Sequence, residues 1–589
     1  MKLKKLFFGA LAGLAFAACS SDDETMQVTD PVEAVKGNAY IAVRLSMVSD
    51  AQTRAWNNDL EDNYETGSED EVGVTDAQFF FFNEDGTGCA NPYYVNTSDW
   101  KWSDGNSNTI DKENNLIDSK LEGVIVLSNA TTWPVKMVAV LNPTNDIKAL
   151  GKATTLNGLA TKLGEMTDDA SDFGSTTAKQ FLMSNAVYYD LDNGDKNDNT
   201  KTNTVINASV VTKDNIKETE AEAKQAPVTV YVERVLAKVR VKKGDAVSGS
   251  KTIKVKNEAG EETDYTITVD IDGWWLDNTN KNSYLIKDLS STYSFEDVDA
   301  EKPHTANWWT DAANFRSYWA NALHYNDAAE STNFLSYKYS TRKTNLDGTG
   351  GVYCFENTNQ NNPTQLVVTA TLKVDDEAVN LVSYGGSYYM DNTLRILLAS
   401  ENSTVKKYYK EITADVYSGL TDEQKNAAVS DTENSKYYQR ITSDDLQFVH
   451  DASDPNERYY SVLDIMSGTY YTKGDGNVMT QVADNSTITA DFENLGQFKF
   501  WNSGRSYFYL PINQYADVKN AKGVIRNHIY ELTISNVAGL GTPVPSTDVI
   551  INPQYPEADK ESHLAARVAI LKYRVIKQNV DLNDPSTAE

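Results

Sequence analysis

Short apolar runs separated by clusters of turn-forming residues recur along most of this 589-residue chain. Alternation of apolar and polar residues places every second side chain on one face, as in a strand with one packed and one solvated face. The pattern therefore predicts an all-β protein built of antiparallel β-sandwiches. Five of these runs are Ala77–Gly86, Val135–Pro143, Val228–Gly244, Gln365–Val374 and His528–Gly541.

A polar stretch from Asp190 to Pro227 divides the chain, because Asn, Asp, Lys and Thr dominate it and apolar residues are few. Such a stretch is typical of a loop-rich domain boundary. The length is ample for two domains. We therefore predict an N-terminal β-sandwich domain at residues 55–225 and a C-terminal one at residues 226–589. Helices are predicted to be short, as at Thr421–Val429.

Charge and cysteine content exclude several classes of protein. The chain has 84 acidic and 54 basic residues, a net charge of −30, which argues against a nucleic-acid partner. Its three cysteines are Cys19, Cys89 and Cys354. With Cys89 and Cys354 far apart in sequence, we expect no disulfide framework.

Motifs for catalysis or metal binding are lacking in the sequence. The five histidines are scattered and have no metal-ligand spacing. Asp190–Asp195 departs from a calcium loop, and Asp347–Gly351 lacks the lysine of a phosphate loop. We therefore predict no enzymatic activity, no cofactor and no metal site, although a triad assembled from distant residues leaves no mark in one sequence.

The N-terminus has the pattern of an export signal. Lys2, Lys4 and Lys5 precede an apolar run at Leu6–Ala18, too short to span a bilayer, and small residues lead into Cys19. We predict a signal peptide at residues 1–18. The segment "FAAC" resembles a bacterial lipobox, in which the cysteine is lipidated, although Phe replaces the usual Leu. The alternative is an ordinary signal peptide with an incidental cysteine.

A strand pattern follows at Ala39–Met47, and it places one set of apolar residues on a single face. Burying a large aliphatic side chain contributes roughly 1.5–3 kcal/mol. Removing this strand would therefore leave an apolar groove between two unpaired sheet edges. The apolar set is Ile41, Val43, Leu45 and Met47.

The C-terminal segment Val568–Asn583 also has a strand pattern, which changes phase at Val575–Ile576. The change of phase predicts two short strands joined by a kink. Their position at the end of the chain allows pairing within their own domain or with a neighbouring molecule. The alternating residues are Leu571, Tyr573 and Val575 in one phase and Ile576, Val580 and Leu582 in the other.

Signature segments along nearly the whole chain resemble the shaft fimbrillins of type V pili. Their order is more specific than any one of them. They are the lipobox, "TRAW", "YETGSEDEVGVTDAQFFFFNEDG", "VAVLNP", "VERVLAKVRV", "FENT", "SYFYLPI", "RNHIYELTISNVAGLGTP" and "YRVIKQNVDL".

The resemblance implies a lipoprotein precursor with two transthyretin-like antiparallel β-sandwich domains and C-terminal donor strands. Residues 19–54 would be a propeptide that is lipidated at Cys19 and removed after Arg54, so that Ala55 becomes the new N-terminus. The strand at Ala39–Met47 would be the resident strand, and donor strands near 567–583 of an adjacent subunit would replace it. The polar residues before Arg54 fit an exposed, cleavable loop.

The resemblance also implies the function and the partners. The chain would be an outer-membrane lipoprotein precursor that becomes a structural subunit of a cell-surface fimbrium and supports adhesion. Its partners would be further copies of itself, an Arg-specific surface protease, anchor and tip fimbrial subunits, and surface receptors.

Two alternatives to a shaft subunit are a tip or accessory adhesin of the same pilus system and an unrelated glycan-binding surface lipoprotein. Either would need a ligand site, and aromatic side chains are candidates because they stack on sugars. Tryptophans are more often buried in a core. The candidates are Trp274, Trp275, Trp308, Trp309 and Trp319.

Overall fold

The structure is a computed structural model of the full chain. Within the residues that it describes, strands far outnumber helices, which confirms the all-β prediction. The described residues are 39–48, 63–64, 67–96, 98, 117–128, 130–161, 181–190, 204–245, 247, 249–288, 320–325, 327, 333–336, 339, 344–349, 351–451, 460–514, 522–547, 563–571 and 574–575.

The N-terminal part of the described chain contains twelve strands. They are β1 (Ala39–Val48), β2 (Asn63–Tyr64), β3 (Asp76–Phe82), β4 (Tyr93–Asn96), β5 (Ile117–Leu127), β6 (Lys136–Leu141), β7 (Met183–Asn185), β8 (Tyr188–Asp190), β9 (Thr204–Ile206), β10 (Ser209–Val210), β11 (Ile216–Lys217) and β12 (Val228–Arg234).

Nine of these strands form one sheet, here called the first sheet. Its order is β11-β1-β12-β7-β6-β3-β4, with β5 paired to β1 and β10 paired to β6. Every residue of β3 is buried, as is typical of a strand that is covered on both faces. The continuous apolar run Phe79–Phe82 accounts for this burial, and β3 therefore lies within the core.

The remaining strands follow Arg234. They are β13 (Leu236–Lys243), β14 (Ser250–Lys256), β15 (Glu262–Asp277), β16 (Thr279–Asn280), β17 (Phe334–Leu335), β18 (Val352–Phe355), β19 (Gln365–Val374), β20 (Glu377–Ala378), β21 (Leu381–Tyr384), β22 (Ser387–Met390), β23 (Tyr408–Ile412), β24 (Val429–Asp431), β25 (Lys436–Arg440), β26 (Leu446–His450), β27 (Tyr460–Ile465), β28 (Tyr470–Lys473), β29 (Met479–Gln481), β30 (Phe498–Trp501), β31 (Arg505–Pro511), β32 (Ile529–Ala538), β33 (Thr542–Pro543), β34 (His563–Leu571) and β35 (Arg574–Val575).

Three further sheets and three isolated strand pairs account for these strands and for β2, β8 and β9. The second sheet has four strands in the order β18-β13-β32-β34. The large sheet has the order β26-β27-β30-β21-β22-β14-β15-β19-β31-β33, with β20 on β19, and the small sheet has the order β24-β25-β23-β28-β29. The isolated pairs are β16–β17, β2–β35 and β8–β9.

One buried apolar cluster joins the first, second and large sheets. It includes Phe79 of the first sheet, Val239 and Leu532 of the second, and Leu366 and Phe508 of the large sheet. Packed sheets with a shared apolar core are consistent with the predicted β-sandwich architecture.

Three of the described strand pairs are parallel, so the sheets are mixed and not purely antiparallel as predicted. These pairs are β1–β12, β13–β32 and β14–β22. A hairpin forces an antiparallel pair only between strands that are joined by a short turn. The partners here are far apart in sequence, and no hairpin fixes their direction.

The apolar segment at Val228–Gly244 forms two strands and not one. It changes sheets at Val235, whose backbone N–H donates to the carbonyl of Leu182 at 3.1 Å. β12 lies in the first sheet and β13 in the second. The domain bounds 55–225 and 226–589 stay predictions, and the strand pairing places the change of sheet at Val235.

The described helices are short. Thr421–Val429 contains α7, which confirms the helix expected there, and Thr421 and Gln424 form a capping box at its start. None of the helices in the described residues is long and apolar enough to cross a membrane. The helices are α1 (Glu69–Val72), α2 (Asn145–Lys148), α3 (Leu156–Ala160), α4 (Glu220–Ala223), α5 (Asp391–Glu401), α6 (Ala414–Gly419), α7 (Asp422–Ala427) and α8 (Ser486–Glu493).

A module that contains α5 to α8 and the small sheet lies in sequence between β22 and β30. A second buried apolar cluster, which includes Leu394, Ile488 and Phe492, joins this module to the large sheet through Leu463 of β27 and Phe498 of β30. The sequence pattern predicted one C-terminal sandwich and did not indicate this module.

Candidate functional site

The predicted resident strand is β1, and it lies inside the first sheet. Along one edge, Ala39–Val48 pairs with β5 in the antiparallel direction. Along the other edge, Val43–Met47 pairs with β12 in parallel, and β11 pairs with Tyr40 and Ile41. Both edges of β1 are therefore occupied by neighbouring strands, so its removal would leave β5 and β12 each with an unpaired edge.

Burial of β1 follows the predicted alternation at its start. Ile41 and Val43 are 0% exposed, whereas Tyr40, which directly precedes Ile41, is half-buried. Ala42, which alternation places on the opposite face from Ile41 and Val43, is also 0% exposed. Leu45 and Met47 are placed only by their backbone register, opposite Val230 and Val232 of β12.

The strands on either side of β1 present a buried apolar lining. Val230 and Val232 of β12 are 0% and 1% exposed, and Ile125 and Leu127 of β5 are 0% and 2% exposed. Without β1, this lining would meet water along with the free backbone groups of both strands, at a cost of roughly 25 cal/mol per Å² of apolar surface. The gap would therefore bind another apolar strand favourably.

The C-terminal strands pair within the same chain. Leu571 ends β34, which is antiparallel to β32, with Leu571 opposite Ile529 and Arg567 opposite Thr533. Val575 lies in β35, which pairs with β2, opposite Asn63. The predicted donor range near 567–583 thus begins within a strand of the second sheet, and the donor role stays a prediction.

Several predicted site residues lie outside the described residues. They are Cys19, Arg54, Ala55, Tyr573, Ile576, Val580 and Leu582.

A continuous path of strands connects β1 with β34. β12 pairs with β1 and passes through Val235 into β13, β13 pairs in parallel with β32, and β32 pairs with β34. The groove that holds β1 and the sheet edge that holds β34 are thus joined through one segment, Val228–Lys243.

Glu71 anchors α1 at the point where β12 passes into β13, here called the junction. Its carboxylate accepts hydrogen bonds from Lys238 Nζ at 2.9 Å, Tyr353 Oη at 2.7 Å and the backbone N–H of Ser68 at 2.8 Å. Arg234 Nε donates to the Glu71 carbonyl at 2.8 Å. Burial by itself raises the pKa of Glu71, but Lys238 and Arg234 more than offset it and bring the pKa to about 2.

Sequence reasoning missed this anchor, although a local signal was present. Ser68 and Glu71 stand three residues apart before Val72 and form a capping box at the start of α1. The pattern predicts a helix start, but it carries no information about Lys238 or Tyr353, which are far away in sequence.

Two fully buried ion pairs lie close to the same junction. Lys287 Nζ lies 3.0 Å from Glu233 Oε1, and Arg526 Nη2 lies 2.5 Å from Glu356 Oε1, with all four side chains 0% exposed. Breaking such a pair leaves a buried charge without compensation, which typically costs about 3–5 kcal/mol. The segments that carry these residues are therefore held in fixed register.

The described residues contain no group of three or more His, Cys, Asp or Glu side chains that is arranged to hold a metal ion. Cys89 and Cys354 are buried free thiols, and burial raises their pKa values to about 11 and about 12. Trp274 and Trp275 are 0% and 2% exposed, so these two tryptophans belong to the core and do not form a sugar-stacking surface.

A family model matches residues 499–579 of the chain, and its description is "Major fimbrial subunit protein type IV, Fimbrillin, C-terminal". The match confirms the fimbrillin-type resemblance, and it includes β32, β34 and β35. A comparison with curated proteins finds no match.

Three solved structures that are similar to this chain have low sequence identity to it. A candidate cell adhesion protein from Parabacteroides distasonis is 12% identical with a TM-score of 0.32, and the match covers 92% of this chain and 98% of that chain. One from Bacteroides eggerthii is 13% identical with a TM-score of 0.32, covering 93% and 100%. The tip fimbrial protein Mfa3 from Porphyromonas gingivalis, truncated at its C-terminus, is 9% identical with a TM-score of 0.29, covering 91% and 99%.

Proposed function

We propose that this chain is a structural subunit of a cell-surface fimbrium that polymerises by donor-strand exchange after cleavage between Arg54 and Ala55. The observation that carries the proposal is the position of β1. It has neighbours on both edges in the first sheet, yet it belongs to the segment before Arg54 and ends at Val48.

Cleavage after Arg54 would cut the covalent link between β1 and the rest of the molecule. The gap between β5 and β12 would then accept a strand from a neighbouring subunit, which would supply main-chain hydrogen bonds and apolar side chains. The donor would be the C-terminal segment that contains Leu571, Tyr573, Val575, Ile576, Val580 and Leu582. Because donor and groove are different surfaces, the contact does not close on itself and generates an open filament.

The remaining parts of the proposal concern location and partners. Lipidation at Cys19 would hold the precursor at the outer membrane until an Arg-specific surface protease removes residues 19–54. Anchor and tip fimbrial subunits would then end the fibre, and surface receptors would bind it. The role is structural and adhesive, and it involves no catalysis.

A tip or accessory adhesin of the same pilus system is the second candidate. The observation in its favour is the pairing of β34 with β32 and of β35 with β2 within one chain. A strand that stays in its own sheet is not available to a neighbour. A subunit that keeps this arrangement would end a fibre and not extend it.

Arg54→Ala tests the proposal in cells that assemble fibres. The expected result is a folded precursor without fibres, since uncut β1 keeps its place between β5 and β12. Arg44→Ala is the matched control, because Arg44 lies within the paired strand β1, and it should leave processing and fibres unchanged. Normal fibres from the Arg54→Ala strain would contradict the proposal. Antibody labelling along the whole fibre indicates a shaft subunit, and labelling at the ends indicates a tip.

A further inference from the structure

A cavity of about 220 Å³ opens where two strands of the large sheet separate. β14 pairs with β15 along Ser250–Lys256, but it pairs with β22 only at Val255 and Lys256. In the described residues, Ser250–Lys254 therefore has no ladder partner on its second edge. The gap between β14 and β22 exposes main-chain donors and acceptors along one wall of the cavity.

The strand register places several polar side chains on one face of this cavity. Tyr388 lies opposite Ser383, and Ser383 lies opposite Lys499, so the three residues form one row across β22, β21 and β30. Directly opposed residues share a face of the sheet. Val255 of β14 extends the row beside Tyr388, and Lys251, four positions earlier, lies on the same face by strand alternation.

Trp501 and the loop after β32 form the fixed floor of the cavity. Trp501 is 3% exposed, and its Nε1–H donates to the carbonyl of Gly541 at 3.2 Å. Gly541 has φ +72°, and a Cβ there would lie 2.1 Å from Ser506 Oγ, so only glycine fits. The half-buried ring of Tyr388 stands above this floor, 6.1 Å from the Trp501 ring between centroids.

Lys251 and Lys499 both line this cavity. Among the described residues, neither ammonium group has an ion pair or a hydrogen bond to the protein. Two other lysines of the same sheet are paired, Lys254 with Asp264 and Lys373 with Asp270. Two uncompensated cations on one cavity of a chain with net charge −30 form a local positive site that attracts an anion.

We propose that this cavity binds one carboxylate-bearing sugar residue of an acidic saccharide. Lys251 and Lys499 hold the carboxylate through charge-assisted hydrogen bonds. Ser383 and the open edge of β14 bond to ring hydroxyls, and the ring of Tyr388 packs against the apolar face of the sugar. The volume is below the roughly 300–1,000 Å³ of drug-sized sites, which fits a single sugar ring.

The test compares two sugars that differ at one group. D-Glucuronate has a carboxylate where D-glucose has a hydroxymethyl group, and each is titrated into the purified full chain with saturation-transfer NMR as the readout. We expect saturable binding of glucuronate and at least tenfold weaker binding of glucose. Lys251→Gln and Lys499→Gln should each weaken glucuronate binding at least tenfold. The matched control Lys254→Gln, which removes a paired lysine of the same strand, should leave it unchanged.

Four outcomes would overturn the proposal. They are equal binding of the two sugars, loss of binding in Lys254→Gln to the same extent as in Lys251→Gln, displacement of glucuronate by inorganic sulfate at equal concentration, and binding of a short acidic peptide in place of glucuronate. Thermal melts establish that each variant is folded. The titration uses unpolymerised chain, so its result is independent of donor-strand exchange.

Discussion

At the scale of single residues, Glu71 links the segment that follows the predicted cleavage site to both sheets of the junction. Its carboxylate bonds to Lys238 and Tyr353, and its carbonyl bonds to Arg234. Lys238 lies in β13 of the second sheet, and Arg234 ends β12 of the first sheet. After removal of residues 1–54, this contact would still hold the new N-terminal segment at the junction.

The pKa of Glu71 predicts how stability depends on pH. Because its pKa falls from 4.5 to about 2 on folding, the ionised carboxylate stabilises the native state above pH 4.5. At 1.36 kcal/mol per pKa unit this is about 3 kcal/mol, and it is lost as the pH falls from 4.5 towards 2. Glu71→Gln should therefore lower the free energy of unfolding by about this amount at pH 7, with the difference from wild type narrowing below pH 4.5.

Urea unfolding at pH 7, 4.5 and 3 measures this difference. Glu433→Gln is the control, since Glu433 is exposed in a turn of the small sheet and has no ion pair among the described residues. A constant difference between wild type and Glu71→Gln across this pH range would contradict the assigned role of the carboxylate.

At the scale of elements, β1 stabilises the precursor but would be absent from the fibre. Ile41 is 0% exposed in β1, so Ile41→Ala should lower precursor stability by about 2–5 kcal/mol. The same substitution should leave the melting temperature of assembled fibres unchanged. Phe79→Ala in β3 is the control and should destabilise both forms, because β3 remains in the first sheet. Fibres weakened by Ile41→Ala would show that β1 is retained.

The pairing of β34 with β32 determines how much of the C-terminus can be deleted before the precursor loses stability. Deleting Lys572–Glu589 leaves β34 on β32, so the uncleaved precursor should melt cooperatively but form no fibres after cleavage. Deleting His563–Glu589 also removes β34 and leaves the edge of β32 at Ile529–Ala538 unpaired, which should lower the melting temperature. Differential scanning calorimetry and electron microscopy give the two readouts. Normal fibres from the shorter deletion would exclude residues 572–589 as donor.

At the scale of the whole molecule, the path β1-β12-β13-β32-β34 connects the proposed acceptor groove with the C-terminal edge. In a head-to-tail polymer, tension would enter one subunit through the strand in the groove and leave through its C-terminal segment. The backbone of Val228–Lys243 and the buried pairs Lys287–Glu233 and Arg526–Glu356 lie close to this route. In such a polymer, this backbone segment and the two buried ion pairs would resist the tension.

Delivery to the cell surface is a property of the whole precursor. Cys19→Ser should shift the precursor out of the outer-membrane fraction and lower fibre yield, because a lipid chain that anchors it would be missing. Thr25→Ala, in the same tether but outside the lipobox, is the control and should change neither. Immunoblots of membrane fractions and fibre counts measure both effects. Unchanged fractionation and yield in Cys19→Ser would refute the lipoprotein assignment.

The sequence by itself determined those features that depend on local pattern. Alternation at Ala39–Met47 predicted a strand with Ile41 and Val43 buried, and both are 0% exposed. The helix at Thr421–Val429 was likewise predictable, because a helix start needs only residues three positions apart. A hydrophobic period reports which face of an element is buried and how long the element is. The all-β fold class of the protein could therefore be predicted from the sequence.

Only the tertiary structure decided which strands meet. It placed β1 between β5 and β12, moved the chain from one sheet to another at Val235, and paired β34 with β32 in its own chain. The bonds of Glu71 to Lys238 and the unpaired lysines of the cavity are equally invisible in the sequence. The physical reason is that any strand edge offers the same backbone donors and acceptors, so the choice of partner depends on packing between residues that are distant in sequence.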